Sequence, residues 1–256
     1  MMRMRMWLFF GVCLLLMSVP ALGSAQEKES AVDPQAERIL RQMSDYLNTF
    51  EQFTIRIENT VDTFLSSGQK VQLGRTGDIS IRRPDRMRVN LDGDEVEQEF
   101  FFDGKSVTLF TKNLNYYATI QAPPNIEEAL DRAQESVGLV APFSDVISRN
   151  SYDILMGDVQ AGLYIGLSKV RGVECHHLAF RAEETDWEIW IENSKTPFPR
   201  KFVVTSKWVA GAPQFTGVVT KWDISPQLND SLFTFVPPQG AEKIEFLPAK
   251  KISTFD

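Results

Sequence analysis

Residues Gln98 to Phe110 read QEFFFDGKSVTLF, two apolar-rich runs joined at Asp103-Gly104. A two-residue hairpin turn needs positive φ and so favours Asp-Gly at its centre. That register sets Phe102 opposite Lys105, Phe100 opposite Val107 and Gln98 opposite Leu109. Alternation along a strand then gathers Phe100, Phe102, Val107 and Leu109 on one face. The other face carries Glu97, Glu99 and Phe101 with Ser106, Thr108 and Phe110, and is mostly polar.

The same pattern extends both ways from this hairpin. Short β-branched or aromatic runs separated by turn residues predict strands near 52–63, 70–82, 86–91, 96–102, 105–111 and 115–120. The turns are Ser66-Ser67-Gly68, Pro84-Asp85, Asp92-Gly93, Asp103-Gly104 and Asn113-Leu114-Asn115, and such short connections imply an antiparallel meander. Strand patterns resume near 152–156, 162–170, 173–181, 186–192, 200–208 and 214–224. One sheet of about eleven strands cannot stay flat, because each neighbouring pair adds twist, so it must curl and acquire a concave face.

Two helices are available to cover that face. Asp33 is placed to cap the first, with Pro34 at its first position and Ile39, Leu40, Met43, Tyr46, Leu47 and Phe50 at helical spacing. Asn125, with Glu128 three residues on, opens a second that reaches Gly138, and a short helical turn is expected over Ser144 to Arg149. The helical insertion thus occupies about 124–149. No interior linker rich in Pro, Gly or Ser divides the chain, so residues 26–256 are expected to form one domain.

The N-terminus has the order of a secretory signal peptide: Arg3 and Arg5, an apolar run from Met6 to Met17, then Pro20 and small residues ending at Ala25. Cleavage after Ala25 removes Cys13, leaves Cys175 as the sole thiol and takes the formal net charge from −7 to −9. The apolar run falls well short of the ~20 residues that cross a bilayer. A soluble protein in the periplasm is expected, and the acidic balance argues against nucleic acid as a partner.

Three motifs in matching order resemble the periplasmic lipoprotein carrier superfamily of LolA and LolB. Gly77 to Val89, GDISIRRPDRMRV, looks like its strand pair with "RP" and a second arginine. Phe102 to Val107 is similar to its "DGK" hairpin, and Asp230 to Ala241, DSLFTFVPPQGA, to its closing signature. Cys175-His176-His177-Leu178, with Trp187, Trp190 and Ile191, is most similar to that superfamily's family of predicted periplasmic proteins. The resemblance covers roughly Asp33 to Phe246 and implies a mainly β fold, an unclosed half-barrel with an α-helical lid. It further implies binding of a lipid or the acyl chains of a lipoprotein. Val89 stands where the carriers have Trp, which bears on lipoprotein delivery more than on apolar binding.

The expected ligand-binding residues are Met87, Val89, Leu91, Phe100, Phe102, Val107 and Leu109; each is also the kind of residue that simply fills a core. Arg82, Arg83, Arg86 and Arg88 form a basic knot that fits either a solvated strand pair or a tether. By the resemblance, Arg88 is the residue that holds the lid. Cys175-His176-His177 is the most enzyme-like cluster, but neighbours on a strand point to opposite faces and no third metal ligand stands at a known spacing. No serine-hydrolase elbow or HExxH motif occurs. The sequence therefore assigns no catalytic residue, metal or cofactor. It favours a carrier of an apolar ligand, with an envelope protein that binds a polypeptide on the same fold as the alternative and a Cys/His enzyme third.

Overall fold

The computed structural model describes residues 31–246 except 95, 96, 140 and 142. The signal peptide expected over 1–25, and the tail from Lys250 to Asp256, lie outside the described residues. Helix α1 spans Pro34–Asn48. A meander follows of β1 (Gln52–Phe64), β2 (Lys70–Arg82), β3 (Arg86–Gly93), β4 (Gln98–Phe102), β5 (Ser106–Thr111) and β6 (Tyr116–Gln121). Helices α2 (Ile126–Val137), α3 (Ser144–Ile147) and α4 (Ser151–Met156) interrupt it. The strands then resume as β7 (Ala161–Val170), β8 (Val173–Arg181), β9 (Thr185–Glu192), β10 (Pro199–Ser206) and β11 (Gln214–Asp223), with a last short β12 (Glu242–Lys243).

Among the described residues all twelve strands belong to one sheet in the order β12-β6-β5-β4-β3-β2-β1-β11-β10-β9-β8-β7, which does not close into a barrel. Among the described strands every pairing is antiparallel except β12 with β6, and an isolated parallel bridge joins Val32 to Gly162 of β7. The two meanders are joined at the middle, where β1 pairs with β11, Thr54 opposite Asp223. Among the described residues no helix is long and apolar enough to cross a membrane.

Two local expectations are corrected. Residues 152–156 form helix α4 rather than a strand, and its N-terminus is fixed from the lid side: Ser44 Oγ of α1 accepts from Tyr152 N at 3.1 Å and from Ser151 Oγ at 2.9 Å. The hairpin register differs by two, with Phe102 opposite Val107, Phe100 opposite Leu109 and Gln98 opposite Thr111. Asp103 is not in the two-residue loop but pairs with Ser106, and its Oδ1 accepts from Lys105 N and Ser106 N at 3.0 and 2.8 Å. The loop is Gly104-Lys105, with Gly104 at φ +86°, the first-position glycine of a type II′ turn. A slip of two preserves the pleat's parity, so the four residues assigned to one face remain on it.

The concave face is the core. Cross-strand rows run Phe53, Ile81, Met87, Phe102, Val107, Ile120 and, one step along, Ile55, Ile79, Val89, Phe100, Leu109, Ala118. Helix α1 lies on the same face, burying Ala36, Ile39, Leu40, Met43 and Leu47, with Asp33 Oδ1 capping Gln35 N at 2.7 Å. Burial of this stripe, rather than helix propensity, is what holds so short a helix.

The convex face is half covered by the chain after β11. Phe235 packs its ring against Phe101, Phe110 and Tyr117, with centroids 5.2, 5.5 and 5.0 Å away. Phe233 is fully buried beside the Arg82 guanidinium, and Arg82 also donates to Leu228 O at 2.9 Å and pairs with Asp230. This strap ends as β12 on β6.

Candidate functional site

Beneath α2 and α3 the sheet and its cover do not meet everywhere. A cavity of about 280 Å³ is lined from the sheet by Ile57, Val61, Ile79, Met87, Val89, Leu91, Phe100, Leu109 and Phe215. Leu130, Leu139, Ala141, Phe143 and Ile147 line it from the helical side. Its polar lining is Asn59, Arg75, Gln98 and Ser144. Val61, Leu130, Leu139, Ala141, Ser144 and Phe215 also border a second hollow of about 600 Å³, whose remaining wall includes Asp62, Asp131, Asp145, Glu184, Ser206 and Gln214. The first hollow is apolar; the second has a mixed wall, more polar than the first, and lies toward the strand ends, where Glu184 and Gln214 are exposed. The second therefore forms the mouth of the first.

Electrostatics at the mouth are local. Lys70 Nζ stands 2.7 Å from Asp62, whose Oδ2 also accepts from Gln214 N at 3.1 Å; these hold the Asp62 carboxyl below the usual carboxylate range. Burial pushes Asp145 up, with Ser144 Oγ at 3.3 Å opposing it. The inner recess has no comparable cluster of acids among its described lining.

Met87, Val89, Leu91, Phe100 and Leu109 stand on the cavity wall. Phe102 and Val107 do not: they sit one row deeper, 1% and 2% exposed, where the helices close on the sheet. Ile57, Ile79 and Phe215, which the sequence did not single out, share the wall. The signal for Ile79 was its place opposite Val89 in the next hairpin.

The lid contact expected of Arg88 is made instead by Arg83. Arg83 is buried, and its guanidinium donates to Leu47 O at 3.0 Å, Phe50 O at 2.9 Å and Ile147 O at 2.7 Å. It thus joins the C-terminal end of α1 to that of α3, where carbonyls left without helical partners favour a cation. Burial and the neighbouring Arg149 draw its pKa below the ordinary guanidinium value. Arg88 lies on the convex face over the Phe101 ring, donating to Asn90 Oδ1 at 2.9 Å, Glu99 Oε1 at 3.3 Å and Leu232 O at 3.4 Å. It secures the strap.

The Cys175-His176-His177 cluster is dispersed. Cys175 is fully buried among Val170, Trp190 and Val203, donates to Val173 O at 3.5 Å, and its thiol is pushed up to about 11 by burial. His177 stacks on Trp190 at 4.0 Å and meets Glu188 Oε2 at 2.7 Å. His176 faces the other way, with Nδ1 3.0 Å from the Tyr164 hydroxyl, and burial lowers its pKa. A protonated, buried thiol is a poor nucleophile. Among the described residues no group of three or more His, Cys, Asp or Glu is placed to hold a metal.

Comparison with known proteins adds a family. A family model described as "Predicted periplasmic protein (DUF2092)" matches residues 36–247. No curated protein matches the chain at a significant level. An uncharacterized conserved protein from Thermus thermophilus has a similar structure, with 11% identity and a TM-score of 0.50 over 82% of this chain and 99% of that one. The lipoprotein LppX from Mycobacterium tuberculosis is 13% identical, at a TM-score of 0.47 over 77% and 100%. A LolA superfamily protein from Nitrosomonas europaea is 11% identical, at 0.37 over 78% and 97%. At these identities the likeness to the Thermus protein is one of fold.

Proposed function

We propose, from the premise that this chain belongs to the DUF2092 family of predicted periplasmic proteins, that it holds an apolar ligand, a lipid or acyl chain, under its helices. The observation that carries this reading is the unfilled apolar recess between the sheet and α2–α3. Ligand sites are characteristically concave and mostly apolar with a few polar groups, which describes this wall. Binding needs no covalent chemistry. Each methylene withdrawn from water contributes about 0.8 kcal/mol, so roughly ten of them contribute ~8 kcal/mol, from which the several kcal/mol of lost translational and rotational freedom is subtracted. Met87, Val89, Leu91, Phe100 and Leu109 would contact the chain directly, while Phe102 and Val107 would support them from below.

Entry would run through this mouth, with the α2–α3 cover moving against the point that Arg83 pins. A fluorescent fatty acyl probe added to the purified protein tests this, together with native mass spectrometry for co-purified lipid. Saturable binding that Leu91→Trp abolishes is expected. A native protein that neither binds the probe nor carries lipid would end the reading.

A second reading, a polypeptide ligand, is favoured by one observation. β7 is the last strand of the sheet, bonded on its outer side by residues 31–33 at Gly162 and Tyr164, and it exposes Leu163, Ile165 and Leu167 to solvent. An exposed apolar edge is a template for strand addition. A bound peptide in the same mass spectra would favour it.

A further inference from the structure

The mouth is flanked by two hairpin tips that keep large apolar side chains in water. At the β1–β2 tip Phe64 is 40% and Leu65 48% exposed; at the β10–β11 tip Trp208 is 78% and Val209 53% exposed. The tips touch, because the Phe64 ring lies so close over Gly211 that a Cβ there would overlap it. Both follow directly from strands whose ends line the mouth, through Val61 and Asp62 on β1 and Val204 and Ser206 on β10. Single exposed apolar residues are ordinary, but four on two adjoining tips form a patch of the kind that marks an interaction surface.

The patch is held rather than loose. Trp208 Nε1 donates to Glu183 O at 3.1 Å, and Lys207 N to Glu184 O at 3.0 Å. With its N–H already engaged, the indole presents an apolar ring and no polar requirement that water alone could meet. Lys207 Nζ bonds Ala182 O and lies near Asp186 while standing 5.8 Å from the centroid of the Trp208 ring, and Lys70 turns to Asp62, so both ammonium groups are already engaged. The exposed side chains of Glu183 and Glu184 border the tips.

We propose that these tips dock the mouth on a zwitterionic phospholipid surface. Trp, Phe and Leu on a projecting element settle at the boundary between headgroup and acyl region. Zwitterionic headgroups present their ammonium outermost, where Glu183 and Glu184 meet it. An anionic surface would repel a chain of formal net charge −7. The proposal rests on the apolar-ligand reading and extends it: a chain leaving the bilayer would enter the recess without crossing water.

Flotation of the purified protein with phosphatidylcholine vesicles tests the proposal. The native protein is expected to float, little affected by salt because the contact is apolar. Trp208→Ala is expected to weaken association about tenfold, and Leu65→Ser with Val209→Ser to weaken it further, while all bind the acyl probe normally in vesicle-free solution. Leu91→Trp is expected to lose the probe yet still float. A native protein that does not float, Trp208→Ala floating as well as native, or a preference for phosphatidylglycerol that salt abolishes would each overturn docking. If the native protein floats in a Trp208-dependent way but never binds the probe, docking stands and the ligand reading falls.

Discussion

Replacing Arg83 by Leu removes the side chain that bonds both ends of the helical cover. The residue is 8% exposed, and its guanidinium spans Leu47 O, Phe50 O and Ile147 O at 2.7–3.0 Å. Hydrogen bonds to a charged group contribute about 1.5–3 kcal/mol each, and the several kcal/mol of burying the charge offset much of their sum. What decides the outcome is the state left behind, carbonyls at two helix ends with no donor, and each buried acceptor left unsatisfied costs about 1–3 kcal/mol. That is a large fraction of the ~5–15 kcal/mol that holds a domain together. Urea unfolding should show a lower midpoint at unchanged slope. Hydrogen exchange should quicken at the C-terminal end of α1 and through α3, with Arg83→Lys intermediate because one ammonium cannot reach three acceptors in the same fork. Arg88→Leu is the control: its guanidinium is on the other face, so it should cost about 1 kcal/mol and loosen the strap around Leu232 instead. Equal midpoints for the two variants, or unchanged exchange in α1 and α3 of Arg83→Leu, would refute the assignment.

Leu91→Trp should fill the recess and abolish acyl-probe binding while costing no more than about 1–3 kcal/mol of stability, which circular dichroism during urea titration would check. Phe235→Ala removes the ring seated among Phe101, Phe110 and Tyr117; a loss of about 1–3 kcal/mol and faster exchange at Tyr117 and Ile244 are expected. Cys175 should resist a thiol reagent until the chain unfolds. Because its folded pKa is raised, from 9.0 to about 11, the stability linked to its proton is complete below about pH 9 and lost as pH climbs through about 11. Cys175→Ala should flatten that alkaline decline, and identical profiles would count against the burial argument.

Most strands were legible because alternation and turn residues agree along them, and α1 because Asp33, Pro34 and the stripe from Ile39 to Leu47 point the same way. Residues 152–156 were not, since a run of five holding Ile154, Leu155 and Met156 fits a short strand or one helical turn equally well. The Ser44 contacts that decide it come from elsewhere in the chain. At Asp103-Gly104 the dipeptide named the turn, but the Asp103 side chain bonds Ser106 and so moves the loop one residue on.

Arg88 is the more instructive difference. If Met87 and Val89 face the recess, alternation sends Arg86 and Arg88 to the opposite face, so the two expectations excluded each other. Arg83, placed just past Arg82 at the end of β2, has the parity that reaches the helices. The void itself is a property of how α2 and α3 sit over the sheet, and no pattern of residues encodes a volume left unfilled.

The pairing of β1 with β11 sets a constraint on assembly. Thr54 must find Asp223, so the seam between the two meanders closes across most of the polypeptide and only after the last long strand exists. Contacts this distant in sequence slow folding. Until the seam forms, each half displays an oily inner surface and an unsatisfied row of backbone groups at positions 52–64 or 214–223. A chain built this way depends on its surroundings for protection during that interval, and slowing the seam, by a proline in β11 for example, should drive it to aggregate before it ever meets a ligand.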